Sequence, residues 1–199
     1  LREALHRRRV WGRQGQSALL HQRKPEREVA RERKLQQELA KQKLSLKMVD
    51  CYRPERAVKD FMDWIGDGGP PDPKWHPNVE RGDLHRQGYL ARRSAHSRGS
   101  TVDVGVARTV QANADIEPDC GAGFQFLIEF GTGYDCLDPI AATSHTPLPA
   151  EAPENRHMLV DAMAAEGFRN YSKEWWHFTL KGEPFPKKAF DFPVTAAGN

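Results

Sequence analysis

Four residues in two separated stretches of the chain could together hold a metal ion and move a proton. His96 and Asp103 lie seven positions apart, and far downstream Glu174 and His177 lie three positions apart. Hydrolytic zinc sites take three protein ligands of these types and keep a fourth position for water, while a nearby carboxylate handles the protons. We therefore interpret His96, Asp103 and His177 as the ligands of one zinc ion per chain. Glu174 is then the general base.

The first pair of residues lies where the pattern predicts a turn followed by a strand. Residues 101–107 alternate, with three valines on one side and Asp103 on the other, as in a half-buried strand. Gly99 permits a turn that brings His96 back towards Asp103.

The second pair lies at the start of another predicted strand. Residues 175–180 are rich in aromatic and β-branched side chains, so the strand carries His177 and has Glu174 at its entry. Positions i and i+3 of a regular strand face opposite sides of the sheet, and we therefore expect a bend or bulge between these two residues.

Each half of this set also has an ordinary structural explanation. An Asp on a single strand is usually a solvated residue, and a His beside two Trp residues usually packs as an aromatic neighbour. Short motifs match by chance often enough that neither half is specific by itself. Their occurrence in one chain favours the metal site.

Longer stretches around these residues resemble a known family. SAHSRGSTVDV and KEWWHF are similar to the two zinc motifs of the D-alanyl-D-alanine dipeptidases of the vancomycin-resistance type, which are zinc peptidases related to the D-Ala-D-Ala carboxypeptidases. The resemblance covers residues 44–194. It also includes DCYRPERAV at 50–58, GTGYD at 131–135 and FDFP at 190–193.

The resemblance implies hydrolysis of the dipeptide D-alanyl-D-alanine to free D-alanine, with Glu174 as general base and acid. It further implies that Arg53 stabilises the oxyanion, that Asp135 binds the amino group of the substrate, and that Ser94 lies near its C-terminal carboxylate. From the residues alone, a surface salt bridge is the favoured interpretation of Arg53, although strand-to-helix junctions often carry functional side chains. Asp135 and Ser94 alone fit ordinary turn residues.

Two alternative functions fit the same motifs. One is another enzyme, a D,D-carboxypeptidase or cell-wall endopeptidase. The other is a protein without enzyme activity, an inactive zinc-stabilised binding module. Intact Glu174 and Arg53 argue against the inactive module.

The family usually opens with a Tyr-containing segment and an Asn-Phe-x-Gly stretch, whereas no tyrosine precedes Tyr52 in this chain. This departure concerns the N-terminal wall of the pocket and therefore the substrate preference.

Length and composition favour one globular domain. The chain has 199 residues, of which 38% are hydrophobic, and no apolar run approaches the ~18 residues of a membrane span. We expect an α+β fold, a single domain in which a central antiparallel sheet carries the zinc site and is flanked by helices. Residues 1–25 are expected to form a basic, poorly ordered segment and residues 26–199 the zinc D,D-dipeptidase domain.

The positive charge is concentrated at the N-terminus. Residues 1–34 contain eleven Lys or Arg residues against four acidic ones, so the remainder of this +3 chain carries a net charge of −4. No aromatic stacking pattern or nucleic-acid motif accompanies the basic residues, which favours a solvated surface. The partner that we expect is a small dipeptide, with neither nucleic acid nor membrane, and the oligomeric state is left open.

Other patterns predict the remaining elements. A helix is expected over 26–43, a strand over 44–48, and a helix that begins at Pro54 and ends at Gly66. A strand is expected over 124–130, where phenylalanines alternate, and a helix over 154–166, which Gly167 ends.

Three cysteines are too few and too unevenly placed for a Cys-type zinc site. Free thiols in a cytoplasmic protein are the simpler expectation. Because residue 1 is Leu, a periplasmic protein whose signal peptide was removed is the alternative, and Cys120 and Cys136 are then the expected pair.

Overall fold

The computed structural model describes residues 36, 37, 39–110 and 117–194. Residues 36, 37 and 39–41 are helical, and six complete helices and strands follow. These are β1 (Leu44–Asp50), α1 (Glu55–Gly66), β2 (Thr101–Arg108), α2 (Ala152–Ala165), β3 (Phe168–Tyr171) and β4 (Glu174–Leu180). Short 3-10 turns lie at Arg81–Asp83, Ala95–Arg98 and Pro139–Ala141.

The four strands form one antiparallel sheet in the order β1-β2-β4-β3. Strands β2 and β4 are therefore central, and α2 packs against β3 and β4. The prediction of an α+β domain with a central antiparallel sheet and flanking helices is confirmed.

Strand β2 is buried on both faces, whereas its alternation predicts a half-buried strand. The valines at 102, 104 and 106 belong to the main hydrophobic core, together with Trp175, Trp176 and Phe178 of β4. On the opposite face Asp103 is only 2% exposed. Polar groups on that face are therefore cut off from bulk water and need partners within the protein.

The two long helices begin close to the predicted positions. Pro54 is the N-cap residue of α1 rather than its first residue, and the helix starts at Glu55. Helix α2 starts at Ala152, two residues earlier than expected, because Pro153 lies in the first turn, where a missing N–H costs nothing. After α2 the chain turns at Gly167, which has a φ of 82°.

The strand predicted over residues 124–130 is wrong. Phe126 lies in the left-handed region with a φ of 60°, which breaks the extended run. The backbone of the segment pairs with β2 at one bridge, between Ala107 and Leu127. Strand β3, in contrast, has four residues that no pattern in the sequence predicted.

Cys120 and Cys136 form a disulfide, and Cys51 is buried and keeps its thiol. The expectation of three free thiols is therefore wrong, and the alternative pairing is confirmed. The disulfide holds Cys120 against the end of the 131–135 loop, because Cys136 directly follows this loop. Within the loop, the Gly133 N–H donates to the Cys120 carbonyl at 2.8 Å.

Two predictions concern residues outside the described part of the chain. The basic segment 1–25 lies entirely outside it, and only the last residues of the helix predicted over 26–43 lie within it. Both stay predictions. Among the described residues, no helix combines the length and apolar character that crossing a membrane requires.

The disulfide is expected to stabilise the fold. Its cysteines are separated by 16 residues, and closing a loop of about this size contributes roughly 3 kcal/mol by restricting the unfolded chain. The double variant Cys120→Ser, Cys136→Ser should lose about that free energy of unfolding in urea. Reductant should lower the stability of the wild type and leave that of the double variant unchanged. Equal stability of wild type and double variant without reductant would contradict the prediction.

Candidate active site

Pairing of the two central strands brings the first two candidate ligands together. Asp103 of β2 and His177 of β4 are Cα partners in the antiparallel ladder. Side chains of directly opposed residues leave the sheet on the same face, within contact distance. Asp103 Oδ1 accordingly lies 3.0 Å from His177 Nδ1.

A short turn delivers the third candidate ligand, His96. Ser94 caps the 3-10 turn by accepting a hydrogen bond from the His96 N–H at 3.2 Å, and Gly99 ends it with a φ of 70°. The His96 ring donates from Nδ1 to the Cys51 carbonyl at 2.6 Å. This bond fixes the tautomer and leaves Nε2 to face Asp103 Oδ1 at 3.4 Å.

The three side chains have the geometry of a metal site. Their ligand atoms all lie within 4.8 Å of one another. His96 Nε2 and Asp103 Oδ1 are buried and lack a hydrogen-bond partner, which is rare for buried polar atoms unless an ion or water binds there. In a tetrahedral zinc site with bonds of about 2.0–2.1 Å, ligand atoms lie about 3.3 Å apart. The distances of 3.0 and 3.4 Å from Asp103 Oδ1 to the nitrogens of His177 and His96 fit such an ion.

The electrostatics around Asp103 keep it ionised. Burial acts to raise the pKa of the Asp103 carboxyl, but the imidazoles of His96 and His177 more than reverse this, and the pKa lies well below its usual range. The second oxygen, Oδ2, accepts a hydrogen bond from the Tyr134 hydroxyl at 3.2 Å. Asp103 therefore presents a charged, oriented oxygen to the two imidazoles.

Glu174 lies beside the candidate ligands at the first position of β4. Its Oε2 is 3.5 Å from His177 Nδ1, and the residue is 6% exposed. The bulge expected between these residues is present, because the pairing of β4 with β3 shifts register there, from Asn170–Phe178 to Tyr171–Glu174. The bulge places both side chains at the same cavity.

Arg53 reaches the same cavity from the turn between β1 and α1. Its Nε and Nη2 donate to Asp50 Oδ2 at 3.2 and 2.6 Å. Both side chains are 11% exposed, so the salt bridge is largely buried rather than superficial. The Arg53 N–H also donates to the His96 carbonyl at 3.4 Å, which joins the two segments.

All seven candidate residues line one cavity of about 380 Å³. They are Arg53, Ser94, His96, Asp103, Asp135, Glu174 and His177. Asp135 is 4% exposed and has a φ of 61°. A cavity of this size lies at the small end of the range for ligand pockets, about 300–1,000 Å³.

The chain is similar to a family of known peptidases. The family described as D-ala-D-ala dipeptidase, peptidase M15, matches residues 5–195. This chain belongs to that family. A D-alanyl-D-alanine dipeptidase of Streptomyces coelicolor is 38% identical over 147 residues, which cover 73% of this chain and 66% of that protein. Another, of Enterococcus faecium, is 34% identical over 157 residues, covering 78% of this chain and 71% of that protein.

Several residues around the site of this M15 family member were not assigned a role from sequence. Tyr134 and Asp50 lie within quoted motifs, but only their contacts with Asp103 and Arg53 reveal what they do. Tyr89 and Tyr171 line the cavity as well. A tyrosine beside a motif is too common to be a signal, because packing explains it equally well.

The two cavity tyrosines are uncharged. Burial, and then the charges of Asp138 and Glu174, raise the pKa of Tyr89 to about 12. Burial, and then the charge of Glu174, also raise the pKa of Tyr171, whose hydroxyl donates to the Gly88 carbonyl at 2.9 Å. Both hydroxyls are therefore neutral at physiological pH.

One divalent metal ion per chain is expected to bind at this site. His177→Ala removes one of three ligands and should abolish stoichiometric binding after reconstitution. His157→Ala is the matched control, because His157 is exposed on α2. Elemental analysis after gel filtration gives the metal content of each protein. Equal metal content in His177→Ala and wild type would show that the ion binds elsewhere.

Proposed function

We propose that this protein hydrolyses the dipeptide D-alanyl-D-alanine to free D-alanine in a zinc-dependent reaction. Membership of the M15 dipeptidase family supports a peptidase. The observation that carries the proposal is the convergence of His96, Asp103 and His177 with Glu174 beside them on one small cavity. That set supplies three ligands and an adjacent carboxylate, which is the composition of a hydrolytic zinc site.

His96, Asp103 and His177 would hold the zinc ion. When bound, zinc supplies Lewis-acid chemistry, since it lowers the pKa of water to about 7 and polarises a carbonyl. The Cys51 carbonyl and the Tyr134 hydroxyl orient His96 and Asp103 from behind. Such supporting hydrogen bonds fix ligand direction and raise metal affinity.

Glu174 is proposed as general base and acid. It accepts a proton from the attacking water as the new C–O bond forms, and it returns that proton to the leaving nitrogen as the C–N bond breaks. Its position 3.5 Å from a proposed ligand supports this role, because a base has to lie next to the water that it deprotonates.

Arg53 is proposed to stabilise the oxyanion that develops on the scissile carbonyl. Asp50 holds two nitrogens of the guanidinium, so the group is oriented before substrate binds. A preorganised donor of this kind is typically worth about 2.7–4 kcal/mol of barrier. Lysine could not reproduce the fixed planar fork.

Asp135 and Ser94 are proposed to recognise the two ends of a free dipeptide. Asp135 provides a carboxylate for the ammonium group, and Ser94 lies near the substrate carboxylate. Both residues line the cavity that contains the proposed ligands.

We also propose that the protein matures in an oxidising compartment, in place of the cytoplasmic location expected from the sequence. The Cys120–Cys136 disulfide supports this, since stable disulfides are rare in reducing cytosol. Alkylation of denatured, unreduced protein taken from its own cells tests the location. One reactive thiol per chain agrees with the proposal, and three contradict it.

Glu174→Gln should separate proton transfer from metal binding. The amide has the size of the carboxylate but cannot accept the proton, so kcat should fall by about 10²–10⁴-fold while zinc content stays at one per chain. Glu154→Gln, on the exposed surface of α2, is the matched control and should behave as wild type. If Glu174→Gln instead loses zinc, Glu174 is a ligand and the assignment is wrong.

Substrate selectivity should depend on Asp135. The wild type should cleave D-Ala-D-Ala and hardly cleave N-acetyl-D-Ala-D-Ala, because a buried carboxylate that faces an uncharged amide loses several kcal/mol of pairing. Asp135→Asn should narrow this difference in kcat/KM, mainly by weakening cleavage of the free dipeptide. Asp161→Asn, an exposed change on α2, should retain the wild-type ratio. A wild type that cleaves both substrates equally would favour a D,D-carboxypeptidase.

A further inference from the structure

The bulge in β4 separates two residues of the proposed catalytic machinery. In the β3–β4 ladder, Asn170 pairs with Phe178 and the next residue, Tyr171, pairs with Glu174. Three residues of β4, 175–177, are therefore accommodated without counterparts on β3. Glu174 and His177 lie at the two ends of this irregular segment, so its shape sets the distance between their side chains.

A single side chain bridges the two ends of the bulge. Asn170 Nδ2 donates to the Glu174 carbonyl at 3.0 Å and to the His177 carbonyl at 3.1 Å. Carbonyl oxygens only accept hydrogen bonds, so the amide group has to present nitrogen to both of them. Its oxygen then faces the other way, where it accepts a hydrogen bond from the Thr143 hydroxyl at 2.6 Å.

The middle of the bulge is held differently from its ends. Trp175 and Trp176 are fully buried in the core, and Trp175 stacks on Phe130 at 4.0 Å between ring centroids. These contacts anchor the side chains of the strand, and β2 pairs with its other edge at His177. On the β3 edge, the Asn170 amide links the Glu174 and His177 peptide groups, and Thr143 fixes the rotation of the amide.

We propose that Asn170 is a positioning residue that sets the separation between the base Glu174 and the zinc ligand His177. The proposal rests on the proposed function of these two residues. A displacement of about 1 Å between catalytic groups can cost about 10²-fold in rate. Residues that orient metal ligands typically affect metal affinity or activity by about 10–100-fold. Asn170 acts on both groups through their backbone.

Asn170→Asp tests the proposal because it keeps the side-chain size and removes both donors. The carboxylate oxygen that replaces Nδ2 then faces both carbonyls, and the repulsion should widen the bulge. We expect kcat on D-Ala-D-Ala to fall about 10–100-fold, the KM to stay within about twofold, and the zinc dissociation constant to rise about tenfold. Zinc affinity is measured by competition with a chromogenic chelator, and kcat is measured at saturating zinc.

Asn155→Asp is the matched control. Asn155 lies on α2 and its Nδ2 donates to the Glu129 carbonyl at 2.7 Å, so the same chemical change removes a donor from a carbonyl away from the proposed ligands. We expect wild-type kcat and zinc affinity. An equal loss in both variants would overturn the proposal, because the effect would then be general destabilisation.

A second variant keeps the test decisive if Asn170→Asp does not fold. Thr143→Val retains the Asn170 amide and removes only the hydrogen bond that fixes its rotation. We expect about a fivefold loss of kcat, the equivalent of one ordinary hydrogen bond, with unchanged KM. Wild-type kcat and zinc affinity in the folded variants would overturn the proposal. The zinc affinity is measured without the peptide. If the wild type is inactive on D-Ala-D-Ala, the proposed function is refuted, and the zinc affinities of the variants still decide the role of Asn170.

Discussion

The pairing of β2 with β4 is the constraint on which the rest of the site depends. Asp103 and His177 are opposite one another in this ladder, and Val102 is opposite Phe178 one position away. Side chains alternate between the faces of a sheet. The Val102–Phe178 pair in the core and the Asp103–His177 pair of candidate ligands therefore fix the same register. A slip of one residue would move Asp103 into the hydrophobic core and expose valines to the cavity. The energy of core packing therefore also holds the candidate ligands together.

Burying a carboxylate and two imidazoles on one face of the sheet is unfavourable unless each group has partners. A buried charge without a partner destabilises the folded state by several kcal/mol. Here the hydrogen-bond partners come from separate parts of the chain: the Cys51 carbonyl after β1 and the Tyr134 hydroxyl in the 131–135 loop. The site consequently exists only once the domain has folded, and a metal ion bound there stabilises the folded state selectively.

The sequence predicts well what local chemistry and periodicity determine. Few residue types bind metal ions, so His96, Asp103 and His177 stand out as candidate ligands. Strands β2 and β4 and helices α1 and α2 follow from apolar patterns of sufficient length. The failures are non-local. Alternating phenylalanines predict a strand over 124–130, but the left-handed conformation of Phe126 ends it, and four-residue β3 forms only because β4 lies beside it. The supporting contacts of Asn170 across the β4 bulge and of Tyr134 with Asp103 depend on how the folded strands and loops meet, which no spacing rule encodes.

The 131–135 loop shows how one local conformation serves two purposes. In extended chain, consecutive side chains point in opposite directions, so Tyr134 and Asp135 could not both reach the site. Asp135 adopts a φ of 61°, and this turn allows the Tyr134 hydroxyl to hold Asp103 while Asp135 lines the cavity. A non-glycine residue keeps such a conformation only when its surroundings enforce it. The disulfide at the next residue, Cys136, and the close backbone packing of Gly133 against Ala122 provide that enforcement. The support of Asp103, a candidate ligand, and the placement of Asp135 at the cavity are thus linked through a single peptide unit.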